Sequence, residues 1–207
     1  MRDAVNLGFL MVFHPSDAYL EIKRRGKAIS LIPPVVVMLL VLAVRYIHVA
    51  FVHAPLADIR LQDTSLILEI GRLLLPTLTV VVSIYAVSSI LGGETSLKSI
   101  FFTVAYSFIP YVLVTPLTTA VSRVLSLGEG QFYFGASSLK WIWIVLLVFF
   151  AVMIQNNYSF KKTLGVAILS LIGVALIWAA AIMIISMSVQ VATWFGEVFR
   201  EITVSRY

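Results

Sequence analysis

Five long apolar runs, each broken from the next by a short polar cluster, dominate the pattern of the chain. They lie at about residues 29–52, 68–91, 100–121, 139–154 and 164–189. Each approaches or exceeds the roughly 20 apolar residues that a helix needs to cross a bilayer. Backbone polar groups in hydrocarbon must be satisfied within their own segment, so each run reads as a helix. Pro33 and Pro34 sit where the first run begins, the position at which a helix best tolerates proline. Pro76, Pro110 and Pro116 fall inside the second and third runs, where each frees a carbonyl of its own helix. Hydroxyls such as Thr77, Ser107 and Thr115 are the expected partners for those carbonyls.

Two amphipathic segments flank the runs. From Ser16 to Lys27, Ala18, Tyr19 and Ile22 share a face, Ser16 and Asp17 suit a helix start, and Lys23, Arg24 and Arg25 suit its end. The shorter apolar run Leu7 to Phe13, closed by His14-Pro15-Ser16, lacks the flank and cleavage site of a signal peptide and is expected in the membrane interface or beneath the bundle. At the other end Trp194, Val198 and Ile202 form a stripe, with Glu197, Arg200 and Glu201 off it. The expected fold is all-α, a polytopic membrane bundle. An N-terminal arm (1–28), a five-span domain (29–189) and an extracytoplasmic amphipathic tail (190–207) lying along the outer surface make up the chain.

Composition sharpens this picture. Hydrophobic residues make up 60% of the 207 positions and charged ones 12%, about half the charge of a usual soluble domain. Mean hydropathy is +1.01. The principal partner of the chain is therefore the lipid bilayer. The net charge of +5 belongs to residues beside the spans, where topology and anionic head groups account for it, so nucleic acid is not an expected partner. The dense cluster Lys23 to Lys27 directly before the first span is hard to translocate. It places the N-terminus in the cytoplasm and, with five spans, the C-terminus outside, in a membrane such as the bacterial cytoplasmic membrane. Cysteine is absent, which excludes disulfides and thiolate chemistry.

Catalytic and nucleotide signatures are lacking: no P-loop, no His-Glu-x-x-His, no Gly-x-Ser-x-Gly. The expectation is a protein that is not an enzyme and holds no cofactor. His48 and His53 without a dependable third ligand make a poor metal site. Ionisable residues within spans are the functional candidates. Arg45 and His48, three apart on the first span, and Glu69 and Arg72, three apart on the second, fall at the same end of an antiparallel hairpin, where either Arg45, Glu69 and Arg72 form one ion-paired cluster or the two arginines snorkel outward with Glu69 neutralising one of them. The segments Thr95-Ser96-Leu97-Lys98-Ser99 and Tyr158-Ser159-Phe160-Lys161-Lys162 resemble each other, each a serine cap and a lysine before a span.

The arm motif Phe13-His14-Pro15-Ser16-Asp17-Ala18-Tyr19 with Ile22-Lys23, the turn Leu91-Gly92-Gly93-Glu94-Thr95-Ser96-Leu97-Lys98, and Ala105-Tyr106-Ser107-Phe108-Ile109-Pro110 within the third span together resemble the Yip domain family. The resemblance covers nearly the whole chain and implies five spans with a cytoplasmic N-terminus. Better-known eukaryotic members bind prenylated Rab-type GTPases through a long cytosolic N-terminal region and carry a Tyr-Gly-Pro signature before the first span. The short arm here is more similar to the prokaryotic branch, and Rab binding does not carry over.

These readings converge on a non-enzymatic scaffold or accessory subunit with other membrane proteins as partners. Its expected contact residues are Tyr19, Lys23, Arg24 and Arg25 on the arm, Gly92, Gly93, Glu94 and Lys98 in the turn, and Trp194 and Phe199 in the tail. The alternative is a transport component with a small-solute path lined by Arg45, His48, Glu69 and Arg72.

Overall fold

A computed structural model describes residues 10, 14–25, 30–52, 64–125 and 127–204. Most of the apolar run 7–13, the link 26–29 and the loop 53–63 with His53 lie outside these, as do the side chains of Arg25 and Phe199. The described chain is helical throughout, without strands, and has five helices long and apolar enough to cross a membrane.

The arm forms α1 (Pro15–Arg25). The first span is α2 (Ile32–Phe51), opened by Pro33 and Pro34 as the pattern predicts. The second is α3 (Leu66–Ile90), started by Ser65, whose side chain accepts from the Leu68 amide at 3.3 Å. It runs unbroken through Pro76.

The third span is two helices, α4 (Leu97–Ser107) and α5 (Ile109–Ser122), joined at Phe108. Pro110 explains the break, because it cannot donate to the carbonyl of Tyr106. The hydroxyls expected at the proline-freed carbonyls sit elsewhere. Thr77 Oγ1 donates to the Leu73 carbonyl at 2.7 Å and Ser107 Oγ to that of Thr103 at 2.8 Å. The groups freed by Pro76 and Pro110 belong instead to Arg72 and Tyr106, since the lost bond spans four residues.

The fourth span, α6 (Gly130–Gln155), starts well before the expected Leu139. Its first two turns carry Phe132, Tyr133 and Phe134, so the aromatic cluster belongs to the helix. The last helix, α7 (Phe160–Val204), is 45 residues long. The tail expected along the outer surface is its direct continuation, because nothing between Val189 and Val191 stops a helix and the one glycine nearby, Gly196, lies within it.

The third span stands at the centre, against α1, α2, α3 and α6, while α7 packs on α3. Of the most apolar stretch of each span, 61% is buried in the third and 6% in the fifth. A main core joins Met38, Val41, Leu73, Ile84, Val104 and Ile144; a smaller one under the arm joins Ala18, Tyr19, Ile22, Phe102 and Tyr106.

A candidate site at the far end of the bundle

The end of the bundle away from α1 holds Arg45, Glu69 and Arg72. Glu69 is fully buried in the first turn of α3. Its Oε1 accepts from Thr64 Oγ1 at 2.7 Å and from an Arg72 guanidinium nitrogen at 2.8 Å. Its Oε2 accepts from Arg45 Nε across the α2–α3 interface. Burying a lone carboxylate in hydrocarbon is prohibitive, and two guanidinium groups with a hydroxyl supply what water would. The two arginine side chains stay partly exposed, at 23% and 43%.

His48 belongs to a second group. One turn beyond Arg45 it is rotated about 60° around α2 and meets α5 and α6. Its Nδ1 lies 2.6 Å from Thr119 Oγ1 and its Nε2 lies 3.1 Å from the Tyr133 hydroxyl. The Thr119 proton is engaged with the Thr115 carbonyl at 2.7 Å. In a neutral ring, Nδ1–H therefore donates to Thr119, and Nε2 accepts from Tyr133.

Sequence reasoning missed Lys140. It is 5% exposed, inside the bundle. Its Nζ donates to Thr115 Oγ1 at 3.3 Å and stands 4.8 Å from the centre of the Tyr111 ring. Its neighbours were a signal: Leu139 and Trp141-Ile142-Trp143 put it within an apolar run, and Thr115, Thr118, Thr119 and Ser122 form a hydroxyl stripe at helical spacing.

The candidate contact residues fall into two sets. Tyr19 is fully buried, and its hydroxyl lies 2.9 Å from Ser107 Oγ. Because Ser107 donates to Thr103, Tyr19 is the donor of that bond. Burial pushes the Tyr19 hydroxyl well above the usual tyrosine range, and the Ser107 bond offsets only part of the shift. Gln155 Nε2 donates to the Tyr19 carbonyl at 3.4 Å, and Lys23 Nζ donates to the Ile154 carbonyl at 3.1 Å, near the end of α6. Tyr19 is thus an internal anchor, and Lys23 is half-buried.

Gly93 is likewise internal. A Cβ there would stand 2.5 Å from Asn156 Oδ1 and 2.6 Å from the Tyr158 hydroxyl. Gly92, at φ +75, supplies the left-handed turn. Thr95 Oγ1 donates to Asn156 Oδ1 at 2.7 Å, and the Tyr158 hydroxyl donates to the Ser88 carbonyl at 3.1 Å. Burial raises the Tyr158 hydroxyl above its ordinary value. The two similar turns therefore interlock. Their serines also act alike, since Ser96 Oγ accepts from the Ser99 amide and Ser159 Oγ from that of Lys162. Arg24, Gly92, Glu94, Lys98 and Trp194 are exposed.

The fold and these polar anchors define a polytopic all-helical membrane protein. Residues 9–183 match the family described as the Yip1 domain, and the chain belongs to that family. No curated relative and no solved structure matches it significantly.

Proposed function

We propose that this protein is a non-enzymatic scaffold or accessory subunit of a membrane protein complex, with its N-terminus cytoplasmic and its C-terminus outside, in a bacterial cytoplasmic membrane. The bare face of α7 carries this reading. A helix of 45 residues spans about 67 Å at 1.5 Å per residue, while its chain buries little of it. Other spans of the protein are 20 to 26 residues long. The exposed Arg24, Glu94 and Lys98 near the opposite end add a polar surface for partners.

The alternative of a solute path draws support from Lys140, Thr115, Thr119 and His48, which line the third span with polar atoms at one end. Against it, Arg45, Glu69 and Arg72 are tied to one another, which favours a structural role for that cluster. Purification in mild detergent with mass spectrometry of co-purifying proteins tests the proposal. Stoichiometric recovery of further membrane proteins is expected. Recovery as a free monomer with transport activity after reconstitution would overturn it.

A further inference from the structure

Glu69 cannot neutralise both of its arginines. Thr64, Arg45 and Arg72 fill its two oxygens, and two guanidinium charges against one carboxylate leave the group positive. The arginines are engaged unequally. A guanidinium carries five N–H donors. Among the described residues, that of Arg72 donates to Glu69 alone, while Arg45 also has Tyr111 beside it. The Arg72 side chain is 43% exposed, so its remaining donors are open to a ligand. Arg123, at the same end of the bundle, differs. Its Nε donates to the Phe51 carbonyl at 3.1 Å, and its guanidinium lies 5.6 Å from the centre of the Phe51 ring.

The surplus charge sits at the edge of the hydrocarbon. Helix α3 is 25 residues long, about 37 Å, and outreaches the roughly 30 Å of hydrocarbon by only a few ångströms at each end. Glu69 is its fourth residue, about 5 Å from the helix start. Arg72 lies one turn deeper, and its side chain leans back toward that start to reach Glu69. Arg45 arrives at the same level from α2, within two turns of its last residue, Phe51. The phosphates and glycerol esters of a leaflet lie at this level. Deeper along α3, Leu75, Val82 and Ala86 are exposed, within about 80° of Arg72 around the helix. They form a lane for an acyl chain beneath the guanidinium.

We infer that Arg72, supported by Arg45, binds the phosphate of an anionic phospholipid. The planar fork of a guanidinium matches two phosphate oxygens. Glu69 fixes that fork in place, so little side-chain freedom is lost on binding. A lipid phosphate already occupies this depth, whereas free phosphate would shed its hydration to reach it. An ammonium headgroup would bring a further cation to a site that is already positive. The carboxylate is thus the structural part of the cluster, and the surplus of arginine is its ligand-binding part.

The full-length protein, stripped of lipid in detergent and immobilised, is titrated with radiolabelled dioleoylphosphatidylglycerol. Unlabelled dioleoylphosphatidylethanolamine and inorganic phosphate serve as competitors. Saturable binding is expected, with both competitors at least about tenfold weaker than unlabelled phosphatidylglycerol. Arg72→Gln is expected to weaken binding about tenfold, the scale of one charge-assisted hydrogen bond. Arg123→Gln removes the same charge at the same end and is expected to stay within about twofold of the parent. Arg72→Lys keeps the charge and the Glu69 pair, so it folds even where Arg72→Gln does not, and loss of the fork is expected to cost about threefold. Absence of saturable binding overturns the assignment, as does inorganic phosphate competing as well as the lipid. Equal losses in Arg72→Gln and Arg123→Gln, or parental affinity in Arg72→Lys, also overturn it.

Discussion

Glu69 is the residue on which the far end of the bundle turns. Glu69→Gln leaves Arg45 and Arg72 facing each other without their shared anion, and a loss of about 1–3 kcal/mol is expected, because both guanidinium groups are partly exposed. Thermal unfolding in detergent measures it; a variant as stable as the parent would show that the arginines reach water unaided. Tyr19→Phe removes one hydrogen bond and keeps the ring, for about 1 kcal/mol. The raised Tyr19 value gives the pH dependence its sign. Its folded form holds the proton more tightly than the unfolded one, so the contribution is complete below about pH 10 and declines as the pH rises above it. Protease protection of the arm across that range checks this, with Tyr19→Phe expected to lose the dependence. The Arg45, Glu69 and Arg72 grouping was legible because apolar spans leave a charge no partner but another charge, and the i,i+3 spacing named the face. The partners of His48 were not legible. They depend on where α5 and α6 stand around α2, which no local pattern encodes.

At the scale of elements, the interlocked turns are the most sensitive to substitution. Gly93→Ala forces Asn156 or Tyr158 out of place and is expected to cost about 1–3 kcal/mol. Gly92→Ala is strained through its positive φ alone and is expected to cost about 1 kcal/mol. Both are readable as shifts in melting temperature; a neutral Gly93→Ala would mean that the two turns are not in contact. The glycine pair was legible as a turn, but the close approach at Gly93 was not, because the opposing Asn156 and Tyr158 lie more than sixty positions away in the sequence. Span boundaries were legible wherever a polar cluster ends an apolar run. They failed at α6, whose helix begins at Gly130, ahead of the apolar run, since hydropathy does not register the mixed turns 130–138 with which the helix starts. They failed again at α7, where a surface-lying tail and a continuing helix share the same amphipathic pattern.

For the whole molecule, the membrane-spanning class followed from composition alone, since 12% charged residues cannot clothe a water-soluble surface. The packing order of the spans did not follow. It arises from the small and hydroxyl-bearing faces of the third span, which let α1, α2, α3 and α6 all approach it. The outcome is a helix, α7, that packs on α3 and less extensively on α6 and leaves most of its length exposed. This helix is expected to meet protein. A photoreactive residue at Val191, or at Leu176 within the membrane, reports its neighbours in native membranes under irradiation. Discrete protein adducts, identified by mass spectrometry, are the predicted result at both positions. Adducts with lipid alone at Leu176, and none with protein at Val191, would contradict it.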